Sequence, residues 1–190
     1  MDGRRRNGAA GGGSQLDPGG GGKNGHMYYF RLQQDKRFID GLRLEQVSRD
    51  MEQMKERNIV FVKEDGDKPV YLDFIDYPRL LVSDRLKALL EKYDDRLRFQ
   101  SAIVTGRSTQ RQDIYWFMEP GELDCLSART QVDAGGTCRR LVLAAPKVRR
   151  ERIFRVAGLQ EDMLIVRLDI AESLLRRAFT GLHLTPVELD

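Results

Sequence analysis

"IVRLDIAESLLRRAFTGLHLTPVEL", Ile165 to Leu189, decides how this chain folds. A short β-prone run leads into an amphipathic segment, then a glycine, then a second β-prone run. Asp169 and Glu172 stand three apart, the spacing of a capping box with aspartate at the cap. Ile170, Ala171, Leu174, Leu175, Ala178 and Phe179 fall on one helical stripe that should face a core. Arg176 and Arg177 sit where the negative end of a helix favours cations. Gly181 is placed to end the helix in a left-handed residue. The stretch therefore predicts strand, helix, strand.

An earlier stretch has the same order. In "LLVSDRLKALLEKY", residues 80–82 read as a buried strand and Ser83 as a helix cap. Leu86, Leu89, Leu90 and Tyr93 form the apolar side, and "RLRFQSAIV" follows as a strand. The later copy carries one extra residue. Two such units are an internal echo and too few for a solenoid.

Outward from these units, "MYYFRLQ" opens the folded part as a strand. Residues 44–57 predict a helix, with Leu44, Val47, Met51 and Met54 on one stripe. "NIVFVKEDGDKPVYLDFID" predicts a hairpin turning at Asp65, Gly66 and Asp67. "DIYWFM" alternates Ile114, Trp116 and Met118 against Tyr115 and Phe117, so both faces are apolar and a doubly covered central strand is expected. "RRLVLAA" and "RIFRVAG" read as two more short strands, the second ending in a glycine turn.

Residues 1–26 differ from the rest. They hold 10 of the 18 glycines and almost no large apolar side chain, so they cannot offset their ordering entropy. The expectation is a disordered Gly-rich tail over 1–26 and a single α+β domain over 27–190. That domain should have a mixed or mostly antiparallel sheet with two or three packed helices. Met1 and Met27 both stand as possible starts. Outside the tail the chain has 28 basic and 27 acidic residues, so the folded part is nearly neutral. No apolar run approaches the ~20 residues that span a bilayer. Two cysteines, Cys125 and Cys138, fit a reduced cytoplasmic protein.

Reactive chemistry is sparse. The two histidines, His26 and His183, and the two cysteines form no zinc spacing, and no glycine-rich phosphate loop occurs in the folded part. Cofactor, metal and catalytic residues are therefore expected to be none. The nearest enzymatic alternative is a Cys125 nucleophile with His183 as base, against the commoner role of a small buried cysteine. Glu64, Asp65 and Asp67 lack the alternating ligands of a calcium loop.

The strongest charge feature runs from Arg139 to Arg155. Arg139, Arg140, Lys147, Arg149, Arg150, Arg152 and Arg155 face only Glu151 in sequence. The first six are the candidate partner surface. The run could meet an acidic protein, serve a nucleic-acid or regulatory binding module, or be a solvated face neutralised by acids elsewhere.

The quoted motifs resemble a family. "LLVSDRLKALLEKY", "ELDCLS", "RIFRVAG" and "LIVRLDIAESLLRRAFTGLHLTPVEL" are similar to those of immunity protein family eleven of bacterial polymorphic toxin systems. "MYYFRLQ" resembles the YY-x-L opening of that family, which favours Met27 as the start. The resemblance covers most of residues 27–190, with residues 38–68 unmatched. It implies a small cytoplasmic bacterial protein, encoded beside a toxin, that binds the toxin domain and blocks it. It carries over no catalytic residue.

Overall fold

The structure, a computed structural model, describes residues 27–38, 41, 43–44, 58–62, 70–106 and 111–190. The expected tail, the helix beyond Leu44 and the turn at Asp65 to Asp67 lie outside the described residues. In chain order the elements are β1 (Tyr29–Gln34), β2 (Asn58–Phe61), β3 (Phe74–Ile75), β4 (Leu81–Ser83), α1 (Asp84–Leu90), β5 (Arg98–Thr105) and β6 (Gln112–Glu119). Then follow β7 (Glu122–Leu123), β8 (Gln131–Val132), β9 (Cys138–Arg140), β10 (Val142–Leu143), α2 (Ala145–Val148), β11 (Ile153–Val156), β12 (Leu164–Arg167), α3 (Leu168–Arg176) and β13 (Leu182–Leu189). The fold is α+β, as the sequence predicts.

Two mixed sheets carry it. One has the order β10-β13-β1-β12-β11-β7 and the other β2-β5-β6-β4-β3, while β8 and β9 form a separate ribbon. The internal echo is a topological repeat. In the later unit, β12 and β13 both pair antiparallel with β1, which lies between them. In the earlier unit, β4 and β5 both pair antiparallel with β6, again between them. Strands running the same way need a crossover, and α3 and α1 supply it.

The two crossover helices meet in one core. Leu86, Leu89 and Leu90 of α1 and Ile170, Ala171 and Leu174 of α3 pack with Leu32 of β1, Val82 of β4, Met118 of β6 and Val166 of β12. The Tyr93 hydroxyl and the Ser173 hydroxyl share a hydrogen bond across this layer. The outer face of the first sheet has its own core around Tyr29, Cys125, Leu143, Phe154 and Ile165. The second sheet has another around Val60, Val104, Tyr115 and Phe117.

Asp73 clasps the two units. It is buried, and its carboxylate accepts from Ser83 Oγ at 2.6 Å and from Arg85 Nε and Nη2 at 2.7 and 2.6 Å. The later unit contributes the Thr180 backbone N–H at 2.7 Å and the Thr180 hydroxyl at 2.9 Å. Burial alone would raise this carboxyl, but the donors from Arg85, Ser83 and Thr180 outweigh it and hold it down at about 2.

Several local expectations are corrected. Ser83 caps α1 as predicted, accepting from Leu86 N at 3.3 Å. Asp169 does not cap α3. The cap position is Arg167, because β12 runs directly into the helix and Leu168 N–H is already bonded to Tyr28 O at 2.9 Å. Asp169 instead sits in the first turn, accepting from Ile170 N at 3.1 Å and from Arg167 Nε and Nη2 at 3.0 and 2.7 Å. Leu175 is 69% exposed, so the buried stripe narrows to Ile170, Ala171 and Leu174, with Phe179 partly covered. The left-handed residue that ends α3 is Ala178, at φ 47°, and Ala178 is exposed.

Gly181 is left-handed too, at φ 81°, but it turns the chain into β13. A Cβ there would lie 2.7 Å from Leu72 Cβ, so close approach as well as φ requires glycine. The predicted hairpin of residues 58–76 is also corrected. β2 pairs parallel with β5 and β3 pairs antiparallel with β4, which places the two runs at opposite edges of their sheet.

Candidate functional site

The basic run is divided by the fold. Arg139 and Arg140 lie on β9, in the ribbon. Arg139 is paired with Asp133 at 2.8 Å, and Arg140 forks onto Glu188 at 3.2 and 2.6 Å. That pairing draws the Glu188 carboxyl below its usual range. Lys147 of α2 reaches Asp124 at 3.4 Å, and Arg155 reaches Glu122 at 2.6 Å and Asp162 at 3.2 Å. Arg152 donates to Tyr93 O at 3.0 Å, just beyond the end of α1. Arg149 and Arg150, in the turn after α2, are exposed and have no ion pair among the described residues. The acids that neutralise the run come from sequence positions up to 48 residues away, so a linear count overstates its charge.

The turn that carries Arg149 and Arg150 is well anchored. Val148 is fully buried, and the Tyr29 hydroxyl donates to Val148 O and to Glu151 O. The Glu151 side chain holds Arg96 at 2.8 Å, and Arg96 in turn grips Asp94. The two free guanidinium groups therefore project from a rigid support.

Cys125 and His183 are not brought together. Cys125 is buried against β10, its carbonyl accepting from Ala144 N at 2.9 Å, and burial first, then Asp124, pushes its thiol up to about 11. A nucleophile needs the opposite shift. β10 pairs with the far end of β13, at Glu188 and Leu189. His183 pairs with Gln33 at the near end, about 20 Å away along an extended strand. Cys125 and Cys138 are both free thiols. Among the described residues no three His, Cys, Asp or Glu side chains converge as metal ligands, and no helix is long and apolar enough to cross a membrane.

The sequence reading missed one surface. The face of β6 carrying Ile114, Trp116 and Met118 was expected to be covered. Met118 and Trp116 do meet the core beside α1, but Ile114 is 60% exposed. Its alternation with Tyr115 and Phe117 was visible. The missing signal was the short reach of α1, which covers only part of the sheet.

The Imm11 immunity protein family model matches residues 15–188, nearly the whole chain. The chain belongs to the Imm11 immunity protein family. No curated protein matches it. The match includes residues 38–68, which the motifs alone left unconnected. In this Imm11 protein the recognisable motifs hold the fold together: Ser83 caps α1, Cys125 fills a core, and "RIFRVAG" is β11 with the Gly158 turn at φ 81°. Membership fits a partner-binding role.

Proposed function

We propose that this protein is the cytoplasmic immunity partner of a bacterial polymorphic toxin and neutralises the toxin domain by direct, non-enzymatic binding. The observation that carries this reading is the Imm11 match across residues 15–188. Inhibition would follow from covering the toxin's active site. The cationic turn at Arg149 and Arg150 would meet acidic groups on the toxin, while Arg139, Arg140, Lys147 and Arg152 are held by partners within the chain. Exposed charges of this kind speed encounter more than they add affinity. Arg139, Arg140, Lys147 and Arg155 are already paired with Asp133, Glu188, Asp124, Glu122 and Asp162, which leaves a short cationic turn in this segment in place of the extended basic stripe that a nucleic acid needs.

Co-expression with the toxin domain encoded beside the gene tests this. Cells should survive with the wild-type protein and die without it. Arg149→Glu with Arg150→Glu should lower protection and slow association. Full protection by the folded double variant would remove this turn from the contact surface, and death despite the wild-type protein would remove the immunity reading.

A further inference from the structure

The part of the second sheet left open beside α1 has an organised composition. Ile59 of β2 lies opposite Ile103 of β5, and Ile103 lies opposite Ile114 of β6. Neighbouring strands are about 4.8 Å apart, so the three side chains form one apolar row about 10 Å long. Ile59 is 62% exposed and Ile114 60%. Ile103 and Ile114, with Asn58, Ser101, Ala102 and Trp116, line a shallow depression of about 280 Å³, and Ile59 extends the row beside it. None of these residues is charged, in a chain that is 32% charged. Isolated exposed isoleucines are ordinary, whereas three in register beside a tryptophan form a contiguous patch of the kind that marks interaction sites.

The patch has a defined rim. Trp116 Nε1 donates to Asp84 Oδ1 at 2.8 Å, which fixes the indole at the edge of the depression. Lys87 lies 4.4 Å from the Trp116 ring centroid, and its ammonium is taken by Glu91 at 2.6 Å. Asp84 is exposed and has no cationic partner among the described residues. Among the described residues the unbalanced charge at the rim is therefore negative.

We infer that this open sheet face is the apolar centre of the toxin-binding surface, seating an aliphatic or aromatic ridge of the toxin domain flanked by a lysine or arginine that meets Asp84. This rests on the neutralising role proposed above. The charge at the rim selects the occupant. Nucleic acid and anionic lipid would bring phosphates against the Asp84 carboxylate, beside which the one described cation, Lys87, is taken by Glu91. A second copy of this chain would bring another acidic rim. A toxin surface with a basic group beside its apolar centre satisfies both parts of the site. An apolar centre that is desolvated on binding and enclosed by polar neighbours is the arrangement in which a few residues dominate affinity.

The test is calorimetric titration of an inactivated form of the toxin domain encoded beside the gene. The proteins compared are the full chain, Ile59→Glu with Ile114→Glu, and Arg149→Glu with Arg150→Glu. Circular dichroism checks folding, and Ile59→Ser with Ile114→Ser replaces the glutamate pair if that pair unfolds. The expected result is a loss of affinity of at least about thirtyfold for the isoleucine pair. Asp84→Lys should slow association about tenfold. Undiminished affinity in the folded isoleucine variant overturns the inference while leaving immunity intact. So does a wild-type dimer that becomes monomeric in the variant with toxin affinity unchanged. A wild-type chain that does not bind overturns the immunity reading itself.

Discussion

The two strand–helix–strand units share a topology and differ in how they are finished. Each splits its parallel strands around one antiparallel strand, and each sends three apolar side chains of its helix into the common core. Yet α1 has a side-chain cap from Ser83, and α3 has none. Each unit also carries one parallel strand outside its second strand, β10 beside β13 and β2 beside β5, but in the earlier unit Ile59 and Ile114 remain exposed on the sheet face. The core stripe is what the units have in common, so it carries the topology, while caps are free to vary. What differs is how far the sheet face is covered, and Ile59 and Ile114 are exposed in the earlier unit.

The largest expected effect tests the shared stripe. Leu174→Ala in α3 and Leu86→Ala in α1 should each destabilise the protein by about 2–5 kcal/mol, since both side chains are fully buried. Leu175→Ala should change stability by less than about 0.5 kcal/mol. Urea unfolding of the three variants measures this. A large loss at Leu175 would restore the wider stripe that the sequence suggested.

The next effect tests the clasp between the units. Asp73→Asn removes a charge that Arg85, Ser83 and Thr180 all address, and should cost about 2–3 kcal/mol. The pH dependence has a definite sign. The folded-state carboxyl is held down at about 2, below its ordinary 3.8. Its contribution is therefore present above about pH 4 and is lost as pH falls towards 2, amounting to about 2 kcal/mol. Acid titration of stability should show this loss in the wild type and not in Asp73→Asn. Identical acid profiles would mean that the clasp does not hold the units together.

Smaller effects concern the ends of the helices. Gly181→Ala should cost about 2 kcal/mol, from its φ of 81° and the approach to Leu72. Ser83→Ala should cost about 1 kcal/mol as a lost cap. Asp169→Ala should cost less, about 0.3–1 kcal/mol, because it is a first-turn acid paired with Arg167. If Asp169→Ala exceeded Ser83→Ala, the asymmetry in capping would be reversed. Thermal unfolding of the three single variants ranks them.

These differences show which features a sequence exposes. The order of strands and helices was legible because Leu86, Leu89 and Leu90, and Ile170, Ala171 and Leu174, repeat at helical spacing. Ser83 was legible because a cap is a local interaction. Asp169 misled because Tyr28, across the sheet, decides where α3 begins. The 58–76 hairpin misled because local turn residues cannot reveal that β2 pairs with β5 and β3 with β4. At the candidate surface, the cations were legible but their partners were not. Glu188 neutralises Arg140 only after β13 is brought beside β10. Ile103 and Ile114 come from consecutive strands, but Ile59 joins their row only when the distant β2 is brought beside β5, so no short window along the chain contains all three.

Neutralisation by binding is tested by titrating the toxin's activity with the purified protein. Residual activity should fall linearly and end at one protein per toxin domain, with a stable one-to-one complex. Undiminished activity in excess folded protein, or full inactivation by far less than one equivalent, would contradict it.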